Sequence, residues 1–453
     1  MSRPPVLHRL AGFSGLQLVS AVAPLALLPV IARAGGEAGW AAVTAGQSLG
    51  TLVAAVCVYG WVVAGPAAVA GAGDADRWRA YRASLSSRGA LLLVAAPLGL
   101  LVSLAVAPDG FVRLTALMVL MQAVGGLAPP WYAIGVGSPT LLLRYDAGPR
   151  IVAMLAAAGA LALGAPLEVY PLSVLVASSL GIVALTRHLR RTVGAGVPRG
   201  EYGPGAAWRD VGLVLRRDAS AAGSQIAGAA FGATTVATVA LVATTSATAE
   251  FGSADKLYRF ALMAVVAVGN SFQGWVAEVP FPAAARRMRA SFLGLGALGL
   301  VGGAGLALLG PLATRILLGD EVAASHGSTV PFGVAFLAAC VSTSLGRHIL
   351  VPLGRVRDLF VGTVVGAVVG ISGTALGGWL AGAAGGATGY ALGETAFTLT
   401  LAFLLLRAVR TGRTSPSGVG DPEPPDRASG TGTHDPHDLP TDRPAPTPPE
   451  PAE

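Results

Sequence analysis

Twelve runs of about 20 mostly apolar residues, most of them separated by short connections, leave this chain one solvent it can fold in. They fall at 10–31, 41–64, 86–107, 111–136, 149–165, 169–186, 219–243, 258–279, 291–310, 329–350, 359–380 and 384–406. Each can cross a hydrocarbon layer near 30 Å. With no water in that layer a segment must satisfy its own backbone hydrogen bonds, so the fold class expected is all-α and polytopic, with about 12 transmembrane helices. Composition agrees, since 53% of the 453 residues are hydrophobic and only 12% charged, about half the charge of a soluble protein. The first run is 22 residues long, longer than the core of a signal peptide, and reads as a retained span.

Positive connections are held on the cytoplasmic side during insertion, so arginine placement tests the topology. With the N-terminus inside, 26 of the 31 basic residues fall on inside segments, and Arg33, Arg113, Lys256, Arg259 and Arg315 fall outside. This split predicts an even number of spans, both ends in the cytoplasm and a place in the cytoplasmic membrane. It also accounts for the net charge of +7 without nucleic acid. The longest connection divides the chain into a six-helix bundle over 1–186, a cytoplasmic linker over 187–218, a second six-helix bundle over 219–410, and a tail over 411–453. In the linker, 208–217 reads either as an amphipathic helix on the membrane surface or as a plain lead into the seventh span. The tail is rich in Pro, Ser, Thr, Gly and Asp, and is expected to be disordered. Its His434, Asp435, His437 and Asp438 lack an ordered scaffold for a metal.

Lys256 is the single lysine beside 30 arginines, a bias that points to the base composition of the gene more than to phosphate recognition. Cys57 and Cys340 sit inside apolar runs and read as small hydrophobes, with neither a disulfide framework nor a metal site indicated. A short internal repeat supports the six-plus-six division. Glu37-Ala-Gly-Trp-Ala41 follows the first span, and Glu250-Phe-Gly-Ser-Ala254 follows the seventh, the pattern of a duplicated transporter.

Several motifs in order resemble the polysaccharide flippase group of the multidrug/oligosaccharidyl-lipid/polysaccharide exporter superfamily. They are Leu28-Pro-Val-Ile-Ala-Arg33, Glu37-Ala-Gly-Trp40, Gln47-Ser-Leu49, Tyr59-Gly60 and Gly65-Pro-Ala-Ala-Val-Ala70 in the first half. Ala254-Asp-Lys256 with Arg259, Val351-Pro-Leu-Gly-Arg355 and Gly389-Tyr-Ala-Leu-Gly-Glu394 follow in the second. The likeness covers residues 8 to 408. Relatives often carry an Asp before the aromatic-Gly pair and an Arg two residues after the second Gly, where this chain has Val58 and Ala67. The resemblance implies a secondary transporter that turns a polyprenyl-pyrophosphate-linked saccharide across the membrane by alternating access. Its expected partners are the lipid-linked saccharide, membrane lipids, and glycosyltransferases or a polymerase of the same pathway, with no cofactor.

Hydroxyls and phosphates cannot cross hydrocarbon without replacement partners, so such a protein needs a polar lumen with some positive charge. In the second span Thr44, Gln47, Ser48 and Thr51 recur at i, i+3, i+4 and i+7, one helical face. Ser14 and Gln17 pair in the first span. Lys256 and Arg259 are expected near the outer end of the eighth, with Asn270 and Gln273 deeper on much the same side. Each has a plainer reading: hydroxyls and amides bond across packed helices, and Lys256, Arg259 and Arg33 can reach headgroups from a span end. Glu250 and Asp255 are expected in water at a helix start, where acids meet the dipole favourably. Glu394, ten residues inside the last span, is either an ion-coupling carboxylate or a structural acid kept neutral by burial.

Gly362, Gly366 and Gly370 give small-x-x-x-small contacts for helix packing. No Gly-x-x-x-x-Gly-Lys-Ser/Thr loop occurs, which excludes an ATP-driven pump in this chain alone. Outer connections are short, unlike those of a glycan polymerase, so an enzyme is not expected. A drug or small-molecule exporter of the same superfamily, and a transport-inactive scaffold for cell-envelope enzymes, stay open beside the flippase.

Overall fold

Every one of the twelve apolar runs is helical in the computed structural model, which describes the backbone of residues 6–197, 211–212, 214–216, 219–277 and 284–411 and most side chains from Leu27 onward. The helices are Val6–Val58, Trp61–Val69, Asp74–Val106, Val112–Gly125, Pro130–Val136, Pro139–Leu142, Gly148–Ala162, Val169–Thr192, Ala219–Val242, Thr245–Ala277, Ala284–Leu318, His326–Thr343 and Val356–Arg410. Two π-helical segments, Leu143–Ala147 and Ser344–Leu350, continue the fifth and tenth spans. Among the described residues no strand occurs. Seven helices are long and apolar enough to cross a membrane by length and composition. That count takes Val356–Arg410 once, and passes over Thr245–Ala277, whose first half carries four charged residues. The chain is a multi-pass membrane protein.

Helix boundaries depart from the expected ones where a turn is tighter than a loop. Spans one and two form a single helix that changes direction at Gly36, whose φ of 56° and ψ of −161° only glycine adopts easily. Spans eleven and twelve join in the same way at Ala381 and Gly382. The second span ends at Val58, earlier than the expected 64, because Tyr59 (φ 41°) and Gly60 (φ 78°) take left-handed conformations. That turn is the Tyr59-Gly60 pair of the family motif. Gly65 of the same motif lies against the Trp131 ring, which a Cβ there would meet at 2.5 Å.

The eighth span differs most, since it starts at Thr245 instead of 258. The Thr244 hydroxyl caps it, accepting from the Ala247 amide at 3.2 Å. Glu250, Asp255, Lys256 and Arg259 therefore stand inside a helix. The expectation that Asp255 meets water is overturned, for it is 2% exposed. Glu250 serves a neighbouring helix: its carboxylate accepts from the Ser325 amide at 3.0 Å and the Ser325 hydroxyl at 2.6 Å, and from Ser328, and so caps His326–Thr343.

The glycines of the last two spans serve internal packing. Gly373 lies against Gly389 and Gly377 against Gly385, backbone to backbone, and Gly366 and Gly370 against Gly393. Arg88, expected on an inner connection, is instead buried, 1% exposed. It donates to the carbonyls of Gly126 at 3.1 Å and Ala128 at 2.9 Å, where the fourth span breaks before Pro129 and Pro130. Around it Trp61, Trp78, Tyr81, Trp131 and Tyr132 form an aromatic cluster, which Val214 of the linker joins. The rest of the expected 208–217 helix is only partly described, and the expected tail lies outside the described residues from 412 on.

Arginines gather at one end of the bundle, called the basic end below, at Arg77 to Arg82, Arg187 to Arg191, Arg286 to Arg289 and Arg407 to Arg410. The two halves share one core. It runs from Ala45, Leu49 and Val53 of the second span to Val236, Phe251, Tyr258, Phe332 and Tyr390 of the second half.

Candidate functional site

A polar face on a membrane helix needs partners, and the four residues of the second-span stripe find theirs across the boundary between the halves. Thr44, Gln47, Ser48 and Thr51 line a cavity of about 120 Å³ together with Ala233, Val236, Asp255, Lys256 and Arg259. Six of the expected lumen residues thus meet at one place. At about 120 Å³ the cavity has room for a few waters.

Lys256 donates to the Gln47 amide oxygen, across the halves. Arg259 holds Asp255 in a two-pronged bond, Nε to Oδ2 at 2.6 Å and an Nη to Oδ1 at 2.9 Å. It also donates to the Gly232 carbonyl and to the Thr235 hydroxyl at 3.4 Å. One carboxylate against two cations leaves one positive charge in excess. No carboxylate forms an ion pair with Lys256 among the described residues. Ser48 stitches the second span to the seventh, donating to the Ala233 carbonyl and accepting the Ala237 amide at 3.2 Å. Thr51 is the acceptor for the Gln122 amide at 3.2 Å.

The cavity is sealed toward the end away from the arginines. Trp40, fully buried, donates its indole N–H to Ser253 at 2.9 Å. Gly252 packs so tightly on Thr44 that a Cβ there would meet its hydroxyl at 2.6 Å. These are the Glu-x-Gly-x-Ala repeats of the two halves, whose final alanines, Ala41 and Ala254, are both buried. Toward the basic end the eighth span continues the same face through Met263, Val266, Asn270 and Gln273, and there the side chains are exposed.

The remaining expected residues lie elsewhere. Asn270 is about 21 Å along the helix from Lys256 and accepts from Arg347 at 3.4 Å; Gln273 stands one turn further. Arg33 is at the sealed end, exposed, donating to the Ile316 carbonyl at 3.2 Å. Gln17 and Ser14 lie outside the residues whose side chains are described. Glu394 does not line the cavity. It accepts from Tyr390 at 3.0 Å, and Tyr390 in turn reaches the Tyr258 hydroxyl at 3.4 Å, two residues after Lys256 and next to Arg259. The sequence reading placed Asp255 in water, and did not find Thr235 or the two tyrosines. Asp255 carries a signal in retrospect, since it stands four residues before Arg259 in a helix.

No protein-family model matches the sequence, and no curated protein matches it. The structure superposes on the lipid II flippase MurJ in an inward closed conformation with a TM-score of 0.64 and 10% identity, over 87% of each chain. It also superposes on an inward-facing multidrug resistance MATE family transporter of the MOP superfamily, with a TM-score of 0.54 and 14% identity, over 90% of this chain and 99% of that one.

The chain has the fold of the MOP-superfamily transporters. Within that fold the cavity lies where the second span meets the seventh and eighth.

Proposed function

We propose that the protein is a secondary transporter that flips a polyprenyl-pyrophosphate-linked saccharide by alternating access, with the basic end in the cytoplasm. The observation that carries this reading is the polar, net-positive cavity between the halves, closed on one side by Trp40 and Ser253. A pyrophosphate leaving water needs replacement donors, and Lys256, Arg259, Gln47 and the hydroxyls of Thr44, Ser48 and Thr51 supply them. The cavity itself admits little more than a phosphate. Headgroup entry therefore requires the halves to part, and the closure by Trp40 and Ser253 favours entry from the basic end. Both superposed structures are inward conformations, in keeping with that direction.

Export of a small cationic compound is the second reading, favoured by Asp255 beside the cavity and by the superposition over nearly the whole MATE chain. The two differ in what Lys256 does. Lys256→Gln removes a charge without stranding a carboxylate, whereas Arg259→Gln leaves Asp255 buried and unpaired. A deletion strain complemented with Lys256→Gln is expected to transfer lipid-linked glycan to the outer leaflet about tenfold more slowly than with the native chain, the worth of one charged hydrogen bond. Unchanged leaflet distribution in the deletion strain itself rejects the flippase reading.

A further inference from the structure

The fifth and sixth spans enclose a second, quite different cavity. It is an apolar groove of about 850 Å³ on the outside of the first half. On the sixth span its lining recurs every three or four residues from Val169 through Leu172, Val176 and Leu180 to Ala184, about 22 Å of helix. Ala153 and Ala177 make a shallow floor, and Gly181 lets the two helices touch, since a Cβ there would lie 2.2 Å from the Tyr145 carbonyl. Val152, Leu172, Val176 and Leu180 are between 46% and 67% exposed, so the groove opens away from the protein core.

Its polarity is one-sided. Arg144, the one charged residue in the lining, stands at the basic end. The same face of the sixth span continues past Ala184 to Arg187 and Arg191 at i+3 and i+7, both exposed. Asp146, the nearby acid, is taken by Arg150 at 3.7 Å, and no carboxylate pairs with Arg144, Arg187 or Arg191 among the described residues. The Arg144 guanidinium lies 5.5 Å from the Tyr145 ring centroid, and Tyr145 stacks on His188 at 5.4 Å, which fixes the platform beneath the charge. Glu168 sits at the opposite end.

We infer that this groove is a binding site for an anionic phospholipid of the leaflet at the basic end, with an acyl chain along Val169 to Leu180 and the phosphate on Arg144 and Arg187. Charge complementarity selects the occupant. A hydrocarbon chain alone would leave the three guanidinium groups without an anion, and a zwitterionic headgroup would bring its own cation beside them. Basic pockets between membrane helices at one surface hold acidic headgroups in this way. The site is separate from the cavity between the halves, so its failure would leave the transport reading untouched.

The test uses the full chain in nanodiscs of phosphatidylcholine, with spin-labelled phosphatidylglycerol or phosphatidylcholine of the same chains as probe, and immobilised lipid as the readout. The native protein is expected to retain phosphatidylglycerol in preference. Arg144→Gln with Arg187→Gln should weaken that preference on the order of tenfold, while Arg407→Gln with Arg410→Gln, at the basic end but off the groove, should keep it. Ala177→Phe fills the floor and should remove the retained fraction with all arginines present, which covers the case in which the arginine pair fails to fold. Equal retention of the two lipids overturns the proposal. So does a preference that the control pair abolishes equally, or displacement of phosphatidylglycerol by a stoichiometric polyprenyl phosphate, which would assign the groove to that carrier instead.

Discussion

Arg88 is a buried cation whose partners are carbonyl oxygens at a helix end. The last turn of Val112–Gly125 leaves its carbonyls without amide donors, and the negative end of the helix dipole adds to their pull. Methionine fills similar space but donates nothing. Arg88→Met is therefore expected to lower stability by about 2 to 4 kcal/mol, from stranded carbonyls, seen as a fall in the thermal unfolding midpoint in detergent. If the proposed function holds, transport by the surviving folded protein should stay normal. At this scale the sequence misled in two places. Arginine in the first turn of an apolar run reads as a cytoplasmic anchor, and only the break at Gly126 to Pro129 reveals why Arg88 turns inward. Asp255 reads as a helix start because the apolar run begins at 258, whereas the cap that starts the helix is Thr244. A cap is a local signal worth about 1 kcal/mol, easily masked when the residues after it are charged for another reason.

Helices in lipid gain little from burying apolar surface against one another, so close backbone approach has to supply the attraction. Val356–Arg410 does this with its glycines. Gly389 is among the tightest points, for a Cβ there would sit 2.0 Å from the Gly373 carbonyl carbon. Gly389→Leu is expected to force spans eleven and twelve apart and to reduce the folded yield several-fold, measured by size-exclusion chromatography. Gly296→Leu, where the added atom meets nothing within 4 Å, should be tolerated. The Gly-x-x-x-Gly spacing was legible in the sequence. Its partner was not, because the same spacing suits a second copy of the chain, the next span or a remote one, and only the turn at Ala381 and Gly382 makes the neighbour inevitable.

Between the halves, the contacts that close the cavity also set which way it opens. Trp40 with Ser253 and Thr44 with Gly252 are small, directional contacts, of the kind that can part without unfolding either half. Gly252→Val places a side chain where Thr44 stands, and overpacking of this sort costs about 1 to 3 kcal/mol, enough to move an equilibrium roughly tenfold. In such a variant Thr51→Cys should react with a membrane-impermeant maleimide from the sealed side, about ten times faster than in the parent with the same cysteine. Cys57 and Cys340 are buried and give a low background. Equal rates would mean that Thr44 and Gly252 do not hold the closure. The membrane class, the number of spans and the polar face of the second span were all legible from periodicity. The meeting of that face with Asp255, Lys256 and Arg259 was not, since nothing in one sequence says which two of twelve helices become neighbours.

Lys256, the single lysine of the chain, points into the cavity at Gln47. Apart from the amino terminus, the chain therefore offers acylating reagents one primary amine, and that amine sits where cargo would pass. A succinimidyl ester that modifies the lysine becomes a gauge of occupancy: whatever fills the seam should shield it, and mass spectrometry of one tryptic peptide would read the protection without any engineered tag.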